Sequence, residues 1–453
     1  MTAPTAGPTV VLGAGPAGSL LAIYLARQGH DVTVFEKRPD LRRVDIAAGR
    51  SINLALATRG IVPLADVGVI DRVDEITIPM RGRMVHAPDD STPTLQPYGN
   101  QPHEVIHSVS RTDLNAILLD AAEATGRVRF EFERSLASVD LDRRRLTFDD
   151  GTTASFEVVF GADGANSRVR EAMVTQGSCS CRIDRLDHSY KELTLPPDDA
   201  GDHLLDPNAL HIWPRGEFML IALANPGGDF TVTLFAPTAT FDRLTTTTSV
   251  EEFFAAEFGD FARLVPDLAE QFAANPTGTL ATVRANGWSI DDRAVLVGDA
   301  AHGIVPFHGQ GMNAAMESVR SLDRHLRSAR GDRAEAFRRY ETERKPDADA
   351  IADMALDNYV EMRAGVVDAD YLAKRSLALE LERRHPEHLT PRYNMVMFST
   401  MPYSEAKSRA ERQARIIAAA VADPSVDVDA LVRALPALPE NDPLADPDAL
   451  STR

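Results

Sequence analysis

The stretch from Thr9 to Arg27 constrains the fold more than any other. Thr9-Val10-Val11-Leu12 is β-branched or aliphatic throughout, as a strand buried on both faces requires. Pro16 to Arg27 reads as a helix with proline at its first position and small residues on its inner side. Between them, Gly13-Ala14-Gly15-Pro16-Ala17-Gly18 has the form G-x-G-x-x-G. Gly13 permits the tight turn, Gly15 lets a pyrophosphate approach the backbone, and Gly18 lets the helix pack closely on the strand. The free N–H groups and positive end of that helix then face the phosphates. A second strand, Asp31 to Phe35, ends in Glu36, about twenty residues after the glycines, where a carboxylate accepts from a ribose and repels a 2′-phosphate. The expected fold class is α/β, with a Rossmann-like dinucleotide-binding domain.

With 453 residues, two or three domains are expected. A net charge of −19 argues against a nucleic-acid or anionic-membrane partner. Cys179 and Cys181 are too few and too close for a disulfide framework. No clustered partners suggest a metal site, so they read as reduced thiols. No basic or apolar leader precedes the first strand, and the apolar run Ile416 to Ala422 is far short of the ~20 residues of a spanning helix. A cytoplasmic protein is expected; the sequence leaves its oligomeric state open.

Along the chain, a basic turn from Lys37 to Arg43 precedes a largely helical Thr58 to Ile70 and strand-like, turn-rich patterns from Ile76 to Tyr98. Arg111 opens an amphipathic helix to about Ala124, and a β-meander is expected over 128–132, 136–141 and 145–149. The strand Val158 to Gly161 runs into Asp163-Gly164 and a helix start. Strands are expected through Tyr190–Leu195, Ala209–Pro214, Phe218–Ala224 and Phe230–Phe235, then a helix over Val250–Phe272. A strand over 293–297 ends in Gly298-Asp299, and a glycine-rich loop leads to helices from Met312, among them 332–343 and 346–363. Beyond Asp423 the Pro-, Asp- and Ala-rich composition suggests a loosely held tail.

Three separated segments point to one dinucleotide: the Gly13 turn for the pyrophosphate, Glu36 for the adenosine ribose, and Asp299 for a ribityl hydroxyl. The helix start after Gly309-Gln310-Gly311-Met312-Asn313 can face an isoalloxazine carbonyl. Together with Asp163-Gly164 they resemble the fingerprints of the aromatic-hydroxylase class of flavoprotein monooxygenases. Within that class, six blocks resemble the kynurenine 3-monooxygenase family: Gly49–Leu56, Pro79–His86, Tyr190–Pro196, Val305–Asn313, Asn358–Arg363 and Tyr393–Phe398.

The resemblance implies FAD as cofactor, NADPH or NADH as a transient co-substrate, and O₂. It assigns Gly13, Gly15, Ala17, Gly18, Glu36, Lys37, Arg50, Arg111, Asp163, Gly164, Asp299, Gly311, Met312 and Asn313 to the cofactor. It assigns Arg83, Tyr98, Asn358, Tyr393, Phe307 and Glu361 to an aromatic amino-acid substrate, with Arg83 on its carboxylate. A guanidinium fork suits that role because it offers two parallel charged hydrogen bonds. The implied reaction is hydroxylation of L-kynurenine to 3-hydroxykynurenine by a C4a-hydroperoxide of the flavin. No side-chain base is assigned, because the substrate's aniline nitrogen already enriches the ortho carbon. Eukaryotic members carry a C-terminal membrane anchor that this sequence lacks, which suggests a soluble bacterial type. The alternatives are a hydroxylase of another aminated or phenolic aromatic acid, or a non-catalytic FAD-binding regulatory protein. The expected domains are an FAD-binding domain (1–75, 104–178, 280–345) and a β-sheet substrate domain (76–103, 179–279). A helical region (346–422) completes the active site, and a tail (423–453) follows.

Overall fold

The computed structural model describes residues 8–44, 53–88, 92–101, 104–363, 368–423 and 425–438. The strand Thr9–Leu12 and the helix Pro16–Arg27 form as the sequence predicts. Thr9–Leu12 lies inside a six-stranded sheet whose spatial order is 289–290, 294–296, 158–161, 9–12, 32–35, 128–131. All neighbours are parallel except the first pair. The 9–12 and 158–161 strands are buried along their whole length, because helices or other strands cover both faces. This is the Rossmann-like layer of an α/β protein.

The expected meander differs. Val128–Glu131 leaves it to become the parallel edge of the six-stranded sheet, while Leu136–Asp140, Arg145–Phe148 and Thr153–Ser155 form a small antiparallel sheet of their own. Val128 and Phe130 bury against the main core, a long-range gain that turn spacing does not encode. The expected helix over 250–272 also breaks into Thr247–Glu257, Gly259–Ala262 and Leu268–Ala274.

A seven-stranded sheet carries the second layer, in the order 277–286, 180–195, 230–237, 218–224, 210–215, 82–85, 94–97. Its strands alternate in the period-two manner of a sheet buried on both sides. Leu220, Ala222, Ala224, Val232 and Leu234 face a core closed by the helices of residues 238–274. Met219, Ile221, Leu223, Thr231, Thr233 and Phe235 face the opposite way, into a cavity.

Arg333–Arg363 is one continuous helix, although Pro346 lies inside it and lacks the N–H of that turn. Its first half buries Phe337 and Tyr340 in the core of the six-stranded sheet, and its second half buries Ile351, Met354 and Tyr359 in the core behind the cavity. Apolar burial on both sides of the proline offsets the missing hydrogen bond. Past Asp423, the short helix Val428–Arg433 docks by the fully buried Val432 against Leu381, Leu389 and Ile417. Among the described residues, no helix is long and apolar enough to cross a membrane.

Candidate active site

Two adjoining cavities, of about 680 and 550 Å³, share Gly15, Arg111, Ala162, Gly164, Asn166 and Ile183. They form one groove across the carboxyl edge of the six-stranded sheet, where α/β sheets bind their ligands. Gly13, Glu36, Lys37 and Asp163 line one half; Ala17, Asp299, Gly311 and Met312 line the other. Gly13 has φ +98°, and a Cβ there would lie 2.4 Å from the Ala162 carbonyl oxygen. Gly18 lines neither cavity: its Cα packs on Gly13, whose oxygen a Cβ would meet at 1.9 Å. Gly15, by contrast, has nothing within 4 Å of where a Cβ would sit, so the helix N-terminus stays open to the groove.

The charged groups of the groove are poised for an elongated polar ligand. Glu36 Oε2 accepts from the Ala14 N–H at 2.9 Å, and its Oε1 from the Arg38 N–H at 3.0 Å, which fixes the carboxylate at the strand end. Asp163 Oδ2 accepts from the Arg168 N–H at 2.7 Å, while its Oδ1 is buried without a partner. Asp299 opens onto the cavity, and burial raises its carboxyl against the opposing charge of Arg111. An open glycine turn at a helix N-terminus, flanked by three carboxylates and a basic side chain, fits a dinucleotide with its pyrophosphate at Gly15.

Asn313 does not line the cavity. Its Oδ1 accepts from the Ala57 N–H at 2.9 Å, and its Nδ2 donates to the Ala55 and Gly309 carbonyls, each at 2.8 Å. It pins the strand Asn53–Leu56 to the glycine-rich loop. Arg50 lies outside the described residues.

The far end of the groove enters the apolar face of the seven-stranded sheet. Arg83 sits there on the strand Gly82–Val85, 3% exposed, with Nε buried and lacking a hydrogen bond of good geometry. Its guanidinium carbon lies 4.8 Å from the ring centroid of Tyr393. Arg83, Asn358, Phe307 and Tyr393 all line the cavity. Phe307 stacks on Tyr359 at 3.8 Å, and Asn358 Nδ2 donates to the Phe307 carbonyl at 2.6 Å. The loop carrying Phe307 is thus clamped by the long helix.

Tyr98 and Glu361 stand one step behind this surface. Tyr98 stacks on Tyr393 at 5.0 Å and is 1% exposed. Glu361 accepts from Arg83 at 3.4 Å, from Tyr371 Oη at 2.8 Å and from Arg392 at 2.9 Å. Burial pushes its carboxyl up, but Arg83 and Arg392 hold it below its ordinary value. Both residues therefore support the cavity wall.

Sequence reasoning gave no role to His308, Glu192, Met362 or Met397, all of which line the cavity. His308 stacks on Tyr393 at 5.5 Å, and burial lowers it to about 3, so its ring is neutral. Glu192 lies two residues after Tyr190 on one strand, and that spacing alone is the signal that both face one way.

The family model of the FAD binding domain matches residues 7–355. A relative named kynurenine 3-monooxygenase from Stenotrophomonas maltophilia is 48% identical over 418 residues, covering 90% of this chain and 91% of that one. Another of that name from Myxococcus xanthus is 44% identical over 401 residues, covering 87% and 86%. Among solved structures, 2-methyl-3-hydroxypyridine-5-carboxylic acid oxygenase matches with a TM-score of 0.65 at 19% identity, over 82% of this chain and 96% of that one. A complex of Pseudomonas aeruginosa PqsL with 2-aminobenzoylacetate matches with a TM-score of 0.64 at 19% identity, over 80% and 97%. These two agree in fold, and the closer sequence matches decide the family: the chain has an FAD binding domain and belongs to the kynurenine 3-monooxygenase family.

Proposed function

We propose that this protein hydroxylates L-kynurenine to 3-hydroxykynurenine, with FAD along the groove and NAD(P)H and O₂ as co-substrates. The observation that carries the reading is Arg83, a buried guanidinium that lines the cavity together with the apolar side chains of Phe307, Tyr393, Met219, Leu223 and Phe235. A charge buried there without a full set of acceptors needs an anion, and an aromatic cavity needs a ring. Kynurenine supplies both.

Gly13, Gly15, Glu36, Asp163 and Asp299 would hold the dinucleotide, with Gly15 at the pyrophosphate and Asp299 at the ribityl chain. Bound there, FAD would supply the hydride acceptance from the nicotinamide and the activation of O₂ toward an electron-rich ring. The chain's own residues orient and desolvate. Arg83 takes the substrate carboxylate, Tyr393 stacks beside the guanidinium, and Phe307 closes the ring pocket. The sheet side chains Leu210, Met219, Ile221 and Leu223 exclude water from the reacting carbon. No side chain is required to remove a proton from the substrate before attack, because the aniline nitrogen already activates the ortho position. A cytoplasmic location belongs to this proposal, and among the described residues no helix is long and apolar enough to cross a membrane.

The test is NAD(P)H oxidation by the FAD-loaded protein over a panel of aromatic acids, with product identification. Strong stimulation by L-kynurenine with matching formation of 3-hydroxykynurenine supports the proposal. Equal or better turnover of another aminated aromatic acid, or no turnover at all, overturns it.

A further inference from the structure

His86 follows the strand Gly82–Val85, three residues after Arg83, and its ring lies on the sheet face opposite the cavity, stacked on Trp213 at 4.0 Å. Its Nε2 is 2.9 Å from Nδ1 of His211. Nε2 of His211 is in turn 2.9 Å from the carbonyl oxygen of Asp206. On the other side, Nδ1 of His86 lies 3.3 Å from Oδ2 of Asp260, which also accepts from Nε1 of Trp213 at 2.7 Å. All four ring nitrogens of the two histidines are engaged, so turning either ring over would put carbons in those positions.

Counting protons along this row fixes its charge. The Asp206 carbonyl only accepts, so Nε2 of His211 carries its hydrogen. Burial lowers His211 to about 4, so it is neutral and its Nδ1 is bare. Nε2 of His86 must then carry a hydrogen to fill that contact. A neutral His86 would point the lone pair of Nδ1 at a carboxylate. Burial would raise Asp260, but hydrogen bonds from Trp213 and the Phe261 N–H, which do not depend on the state of His86, oppose that. A carboxyl ordinarily gives up its proton to an imidazole, so the missing proton is not on the acid.

We propose that His86 is an imidazolium paired with Asp260, and that this pair positions the strand bearing Arg83. The second clause rests on Arg83 being the substrate's carboxylate anchor. The strand needs such support. It has a parallel register of three residues with Leu210–Ile212, and its outer neighbour Thr94–Pro97 is largely exposed. The His86 N–H donates to the Ile212 carbonyl at 2.9 Å, and Arg215 Nη1 donates to the His86 carbonyl at 2.8 Å. His211 sits on the neighbouring strand opposite Met84, and Asp260 on the helix Gly259–Ala262. The charged ring therefore ties three elements together at the end of the Arg83 strand. His86 is a positioning residue and touches no substrate.

The charge is read directly by long-range ¹H–¹⁵N correlation on the ¹⁵N-histidine-labelled holoenzyme near neutral pH. His86 is assigned by its loss in His86→Gln, or by its perturbation in Asp260→Asn should the first variant not fold. Both ring nitrogens of His86 should be protonated, and Asp260→Asn, which removes the carboxylate charge, should leave a single ring proton. A single proton on His86 in the wild type overturns the charge assignment. For positioning, Asp260→Asn and His86→Gln should raise KM for L-kynurenine roughly 10- to 100-fold, the scale of a small misplacement, while kcat and FAD content hold. Unchanged KM, or loss of FAD along with it, overturns the positioning role. Arg83→Ala is the control: if it leaves KM unchanged, the reading of Arg83 has failed, and the NMR measurement still decides the state of His86.

Discussion

Arg83 and Glu361 meet at 3.4 Å although 278 positions separate them in the chain. The contact is long for a charged hydrogen bond, and Glu361 already serves Arg392 at 2.9 Å and Tyr371 at 2.8 Å. Arg83 is therefore neutralised enough to be tolerated at 3% exposure, yet keeps unspent hydrogen-bonding capacity at Nε. Such a partly satisfied guanidinium has capacity for a further anionic acceptor.

Replacing Arg83 should uncouple substrate recognition from cofactor binding. Truncating one partner of a buried charged pair costs about 2–5 kcal/mol. At about 1.4 kcal/mol per tenfold, Arg83→Ala should lower kcat/KM for L-kynurenine roughly 30-fold or more. Arg83→Lys should also bind poorly, because it keeps the charge and loses the planar fork. FAD content should stay near wild type, since the glycine turn is elsewhere. An analogue lacking the carboxylate should be about as poor with wild type as with Arg83→Ala. Wild-type kcat/KM in the alanine variant would remove Arg83 from the site.

Asn358→Asp should show a rescue by acid. The amide Nδ2 donates to the Phe307 carbonyl at 2.6 Å, and a carboxylate cannot. Two acceptors would then face each other in a buried setting, at a cost of about 1–3 kcal/mol for the lost partner. Activity on kynurenine should fall about tenfold or more near pH 8, with FAD retained. Lowering the pH protonates the new carboxyl and restores a donor, so the variant should recover relative to wild type toward pH 6. A deficit independent of pH would show that this hydrogen bond is not what holds the Phe307 loop.

The glycine-turn half of the groove was legible in the sequence because its physics is local. A turn that needs Gly13 at φ +98°, a helix start left bare at Gly15 and a strand that stops at Phe35, just before Glu36, all lie within one βαβ unit. Asn313 shows the limit: its place in the loop was readable, but its bonds to Ala55 and Ala57, more than 250 positions away, were not. The Arg83 end of the groove depends on such distant pairs throughout. Arg83, Asn358 and Tyr393 came only from resemblance, and the ordering that puts Tyr98 and Glu361 behind the wall came only from packing. Pro346 misled in the other direction, since a local helix breaker was overridden by burial on both its sides.

Glu317 should be a stability residue more than a functional one. Its carboxylate bridges Arg59 Nη1 at 2.9 Å and Arg344 Nη2 at 2.8 Å. Arg59 is fully buried and also donates to the carbonyls of Val396, Met395 and Met401, which ties the C-terminal segment to the nucleotide-binding layer. Glu317→Ala leaves the buried Arg59 without its carboxylate and Arg344 with Asp347 alone at 3.2 Å. Removing one partner of a buried ion pair typically costs about 3–5 kcal/mol. The urea midpoint of the FAD-loaded protein should drop accordingly. Replacement without a measurable shift would mean that solvent already compensates this pair.

Glu192 should make stability fall as pH rises toward neutrality, the reverse of an ion-paired carboxylate. It lines the cavity, and burial pushes its carboxyl up from 4.5 to about 7 against the weaker opposing charge of Arg111. Below about pH 4.5 the acid is protonated in both folded and unfolded chains and contributes no difference. Between there and about 7 the unfolded chain ionises first, so the folded state loses ground; above that both are ionised and the loss is complete. Glu192→Gln removes the group, so the variant should gain on wild type across that window and hold its advantage above it. Glu382 titrates in the same range, raised to about 7 by burial and the neighbouring Glu104, so the wild-type curve alone cannot assign the effect. The decisive quantity is the difference in urea midpoint between Glu192→Gln and wild type from pH 5 to 8, with Glu382→Gln as the parallel case. A difference that does not change with pH would show that Glu192 is already ionised throughout, with Arg111 as an effective partner across the groove.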